Sequence, residues 1–256
     1  MIGSNIFITN TFNFSRGRGF DVDYQAVLDR ATVLGYTLPS DSQQIKQNNL
    51  VLALKAAGIW NKLDTFAVFA NDGGSNFGLI DWKRLVSYTA VNSPTFTTNQ
   101  GFTGNGTSSY INTNFNPLIQ GLNYTQNNAS RYIYTFTLTG VMDGIESSLE
   151  NRITLSGTSQ RINQGTGAIN TTYIFDTGAS IKSIHRTSLT NVELFSGTIQ
   201  SSRTSNSVSI VNANQLVSRS GTSYSTNRVG MYAMGASLIS ENTAFVNAFN
   251  TYLTSL

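Results

Sequence analysis

From Thr65 to about residue 237 the chain is cut into short apolar segments by Gly, Asn and Ser every 8–15 residues or so, which restricts its fold more than any other feature. Segments of that length cannot form long helices, and their spacing leaves no room for the crossover helices of a parallel sheet. The clearest segment is Arg131–Leu138. Tyr132, Tyr134, Phe136 and Leu138 fall on one face, and Ile133 with Thr135, Thr137 and Thr139 on the other. Further strands are predicted at Phe66–Ala70, Ser109–Phe115, Arg152–Leu155, Thr172–Phe175, Lys182–Arg186, Val192–Phe195, Val208–Val211 and Val229–Met234. The pattern predicts a mainly β chain, an antiparallel sandwich or barrel.

Helical periodicity flanks this region. Asp21 can cap a helix with Tyr24, Val27, Leu28, Ala31 and Leu34 on one face, ending at Gly35. Ser40 and Gln43 have capping-box spacing at the head of a second helix, which runs through Leu50, Val51 and Leu54 to Ala57. At the other end, Ser240 is placed to cap a helix with Phe245, Phe249 and Tyr252 on one side. Residues 1–20 are different again: Ile6, Phe7, Ile8, Phe12 and Phe14 are interleaved with polar residues, as in an extended arm. The expected organisation is an anchoring arm (1–20), a helical collar (21–64) and a β-sandwich with a terminal helix (65–256).

Composition removes several chemistries. The chain has no cysteine and one histidine, which excludes disulfides, thiol nucleophiles and zinc sites built from several His or Cys ligands. Charged residues make up 11%, and the net charge is only +3, without a basic stripe, so no nucleic-acid partner is expected. No apolar run reaches the roughly 18 residues of a membrane-spanning helix. The first residues lack the charged and apolar regions of a secretory signal.

Catalytic patterns are weak. Asp143, Glu146 and Glu150 are the closest acidic set in the β region. Read as one strand, they would put Glu146 and Glu150 on a shared face, but the Glu-x-Asp-x-x-Glu motif of sandwich glucanases is absent. No Gly-x-Ser-x-Gly elbow exists. His185 is expected on the exposed face of its strand, with Ile184 inward. Asn71–Asn76 offers oxygen donors to Ca2+, but it lacks EF-hand spacing and is expected to be a hairpin turn, so no cofactor is expected. Gly104-Asn105-Gly106 is expected to be a tight turn between strands. Tyr110, Tyr124, Tyr173 and Tyr224 lie in or beside loops rich in Asn, Ser and Thr. Aromatic faces among neutral hydrogen-bonding groups suit sugars, which makes Tyr110, Tyr173 and Tyr224 the candidate glycan contacts.

Three blocks carry a resemblance: Phe66–Trp82, Phe102–Pro117 and Gly230–Leu238 with its following helix. They resemble the concanavalin-like (laminin G-like) sandwich module of bacteriophage structural proteins, with Tyr24–Asp64 similar to the segment that precedes it. The resemblance implies a jelly-roll-like sandwich. It also implies a non-enzymatic protein on the virion surface, as head fibre, capsid decoration or tail adhesin, made in the host cytoplasm. Attachment to host surface polysaccharide is then the expected function, with purely structural cladding as the alternative and a glycosidase or lyase behind both. Ile6, Phe7, Ile8, Phe12 and Phe14 would dock to other virion proteins or hold a homotrimer.

Overall fold

The computed structural model describes residues 19–136, 141–146, 149–154, 160–165, 175 and 178–256. The arm residues Ile6, Phe7, Ile8, Phe12 and Phe14, and Tyr173, lie outside them. The chain opens with α1 (Val22–Val33), α2 (Asp41–Ala56) and a 3-10 turn at Trp60–Lys62. It continues with β1 (Leu63–Val68), α3 (Ser75–Gly78), β2 (Thr89–Val91), β3 (Thr95–Thr97), β4 (Gly101–Thr103), β5 (Tyr110–Asn112) and α4 (Pro117–Gln120). Then come β6 (Ala129–Thr135), β7 (Val141–Glu146), β8 (Leu149–Thr154), β9 (Arg161–Gly165), β10 (Ser180–Arg186), β11 (Asn191–Ser196) and β12 (Ile199–Thr204). The last elements are β13 (Leu216–Val217), β14 (Arg219–Ser220), β15 (Ser223–Tyr224), β16 (Arg228–Gly235) and α5 (Asn242–Thr254).

The protein is mainly β. The larger sheet runs β12-β11-β10-β6-β16-β4-β3, with β1 also paired to β16. The smaller sheet runs β2-β5-β13-β7-β8-β9, and β14-β15 is a separate hairpin. Every strand pair among the described residues is antiparallel, β1–β16 and β6–β10 among them.

The larger sheet is covered on both faces. Ala67, Phe69, Ile133, Ile184, Leu194, Val229 and Met234 share one core with Ile111, Ile153, Ile162 and Val217 of the smaller sheet. Phe66, Val68, Tyr132, Tyr134, Ile181, Met231 and Ala233 face the other way, onto α1, α2 and α5. Strands buried on both faces carry apolar residues at both parities. That explains why Phe66, Ala67 and Val68 of β1 form an unbroken apolar run, in a strand that is buried throughout.

The helices form where their caps and apolar faces predict. Ser40 Oγ accepts from Gln43 N, but Gln43 does not return the bond: its Oε1 accepts from Asp72 N, while Asp72 Oδ1 accepts from Ser40 N. Tertiary contact thus replaces one half of the capping box. At α5 the N-cap is Glu241, not Ser240, with no side-chain cap bond.

Other expectations change in the fold. Asn71–Gly74 leads into α3 and not into a hairpin partner. Gly73 lies against Pro39, where a Cβ would overlap backbone, so this turn is a docking point for the α1–α2 layer. Gly104–Gly106 joins β4 and β5, which belong to different sheets, so it is a crossing between layers. Val208–Val211 is not a strand: Val208 N is bonded singly to Asn163 O and the segment runs as coil.

Candidate functional site

Tyr110, Arg219 and Tyr224 meet at one surface. Val217 pairs with Ile111 of β5 and with Asp143 of β7. The next residue, Ser218, has φ 65°, a left-handed conformation that ends the pairing and redirects the chain. Arg219 to Tyr224 then forms a hairpin around Gly221-Thr222, with Gly221 at φ 56°. Arg219 and Tyr224 are direct cross-strand partners, so their side chains share a face. Tyr110, at the head of β5, reaches the same place from the smaller sheet.

The loop before Tyr110 is held rigidly. Asn105 Oδ1 accepts from the backbone N–H of Thr107, Ser108 and Ser109, and Asn105 N donates to Ser109 Oγ at 2.7 Å. Gly106 N donates to Ser225 O, and Gly104 lies so close to that carbonyl that a Cβ would overlap it. The segments carrying Tyr110 and Tyr224 are therefore joined backbone to backbone.

The guanidinium carbon of Arg219 lies 4.7 Å from the Tyr110 ring centroid and 5.2 Å from that of Tyr224. The two rings are 6.2 Å apart with planes at 51°. Arg219 Nε donates to Gly221 O at 2.9 Å. All three side chains are half-buried. Among the described residues, neither phenol hydroxyl and neither Nη of Arg219 has a hydrogen-bond partner. The surface thus presents two hydroxyls and a planar cation, positioned by stacking and committed to no protein acceptor.

The other candidates take different places. Tyr124 is buried between the sheets, where its hydroxyl donates to Asn163 Oδ1 and accepts from Asn151 Nδ2; burial pushes its pKa up. It is a core residue and not an exposed sugar contact. His185 is fully buried, contrary to its expected exposure. The face opposite Ile184 is covered by the helical layer, and His185 packs edge-on against Tyr132 and Phe195. Burial pushes its pKa down to about 3. Glu146 and Glu150 do not share a strand; they lie on β7 and β8, in direct cross-strand register. At the Ca2+ alternative, Asp72 Oδ1 accepts from Ser40 N, and Asn71 is buried with Nδ2 donating to Phe69 O and with no hydrogen-bond partner on its Oδ1. Among the described residues, no three His, Asp or Glu are grouped to hold a metal ion. No helix among them is long and apolar enough to cross a membrane.

Arg219 was missed in the sequence. The signal available was Arg-Ser-Gly-Thr-Ser-Tyr: a two-residue turn at Gly-Thr makes the flanking Arg and Tyr cross-strand neighbours.

No protein-family model matches the sequence, and no curated protein matches it. Solved structures do. One is domain 4 of a GH43 extracellular arabinanase from Geobacillus stearothermophilus in complex with arabinotriose. It is 13% identical, with a TM-score of 0.51 over 72% of this chain and 98% of that one. Another is the Trypanosoma rangeli sialidase in complex with 2,3-difluorosialic acid, 12% identical, with a TM-score of 0.45 over 81% of this chain and 40% of that one. At these identities the arabinanase domain shows a shared fold. The comparisons correct the expectation of a non-enzymatic virion structural protein, whether head fibre, decoration, adhesin or cladding. The fold this chain shares with a domain of an arabinanase gives no ground for a purely structural or attachment role.

Proposed function

We propose that this protein is carbohydrate-active, engaging a glycan chain at the Tyr110–Arg219–Tyr224 surface. The observation that carries the reading is the set of fixed, uncommitted polar groups on two aromatic rings. A sugar ring offers C–H faces to aromatic and guanidinium surfaces and hydroxyls to hydrogen-bonding groups, and this surface supplies both. The shared fold with an arabinotriose-bound domain supports the same class of ligand. The finer architecture we assign is a concanavalin-like jelly roll, supported by two antiparallel sheets that share a core.

Calorimetric titration with a panel of oligosaccharides, arabinotriose included, tests the reading. Saturable binding to a panel member is expected, and Tyr224→Ala should weaken it by about tenfold or more, a loss of at least ~1.4 kcal/mol. Binding that is unchanged in both Tyr224→Ala and Tyr110→Ala would remove this surface from the function.

Cleavage of the bound glycan is a second reading, favoured by the register of Glu146 against Glu150. Glycoside hydrolysis by two carboxylates needs a pair of acidic residues close in space, and the register sets these two positions opposite each other. Release of reducing sugar that is abolished by Glu146→Gln and by Glu150→Gln is the expected result. Release that persists in both variants assigns the chemistry elsewhere.

A further inference from the structure

We infer that the glycan bound at this surface is acidic, with a sugar carboxylate held by Arg219; this rests on the glycan reading above. Arg219 carries five N–H donors in a planar fork. One is used, by Nε to Gly221 O. The four on Nη1 and Nη2 have no acceptor among the described residues, and no carboxylate there forms an ion pair with this side chain. Most surface arginines are mobile, and ordering them opposes binding. Here the rings of Tyr110 and Tyr224 and the Gly221 carbonyl already fix the guanidinium plane. A preorganised fork lined by aromatics matches a carboxylate, which accepts two parallel N–H bonds from it. A neutral sugar would leave the positive charge without a counterpart. The flanking phenol hydroxyls are placed to bond the ring hydroxyls beside that carboxylate.

The test compares oligogalacturonate with its methyl ester, which keeps the sugar ring and removes the charge. Titration of the full chain is expected to show the acid binding about tenfold or more tightly than the ester, as charge-assisted pairing requires. Arg219→Gln should erase that difference and Arg219→Lys should reduce it, because lysine keeps the charge but not the fork. Thermal melts of both variants establish that they fold. Equal affinity of wild type for acid and ester overturns the carboxylate inference and leaves the glycan reading standing. A preference that survives both substitutions overturns the role of Arg219. Binding of a sulfated galactan but not of oligogalacturonate overturns the carboxylate in favour of a sulfate ester. No binding to these or to any neutral oligosaccharide overturns both the inference and the proposed function.

Discussion

His185 ties the stability of the protein to pH. Leu238 N donates to its Nδ1 at 3.2 Å, and its Nε2 lies 3.1 Å from Ser183 Oγ, which in turn lies 3.4 Å from Asn242 Oδ1. This chain fits the neutral ring with its proton on Nε2. Protonating Nδ1 would set two donors against each other inside a dry layer. Burial holds the folded-state pKa at about 3, against 6.5 in a free side chain. Between those values the unfolded chain binds the proton and the folded one does not. The contribution is therefore complete above about pH 6.5 and is lost progressively as pH falls toward 3, by a few kcal/mol in all. Urea unfolding measured from pH 7.5 down to pH 4 should show this decline, with a flatter slope in His185→Gln. An identical slope in the variant would assign the acid sensitivity to carboxylates instead. The sequence marks His185 as the one histidine, but not its burial. Strand alternation correctly separates it from Ile184, and only the helical layer turns the outer face into an interior.

At the level of elements, the crossing from β4 to β5 controls the candidate site. Gly104 allows the backbone to approach Ser225, and the contact between Gly106 N and Ser225 O fixes the spacing of Tyr110 from Tyr224. Gly104→Ala should cost about 1–3 kcal/mol in overpacking, read as a lower midpoint in chemical denaturation. It should also weaken glycan binding by about tenfold, although Gly104 has no side chain to touch a ligand. Unchanged binding with lowered stability would show that the two tyrosines are positioned independently of this seam. The glycines around 101–106 are visible in the sequence as a turn signal. What they join is not, because strand pairing between distant segments leaves no local pattern. Edge strand β12 was unreadable for a related reason. Ile199–Thr204 has Arg203 as its one buried residue, so no apolar alternation marks it. The Glu146–Glu150 pair shows the converse: one short acidic stretch contributes to two paired antiparallel strands.

For the whole molecule, the larger sheet is shared between two cores. Trp60 and Trp82 both belong to the core under the helices, where Phe66 packs edge-on against each. Tryptophan fluorescence therefore reports the helical side, while the β-sheet amide I band of the infrared spectrum reports the sheets. Because β1, β6 and β16 serve both cores, the two signals should melt together in one transition. Phe245 stacks on Tyr132 with centroids 4.4 Å apart. Phe245→Ala should lower both signals' midpoints in step, by about 3–5 kcal/mol of stability. Separate transitions would mean that the helices and sandwich are independent units.

Local physics in the sequence was enough to establish several features. The β class follows from turn residues at short intervals, the helices from caps and apolar periodicity, and the lack of thiol or multi-histidine chemistry from composition. The first two depend on neighbours within a few residues, and the last on residue counts alone. The tertiary structure decided the third layer, the burial of His185 and Tyr124, and the meeting of Tyr110 with Arg219 and Tyr224. Those depend on which face of a strand is covered and which distant strand lies beside it. A period of two tells the faces of a strand apart, but not which of them is covered. Among the described residues, the candidate site exists because the fold brings a residue at position 110 against a hairpin more than a hundred residues later.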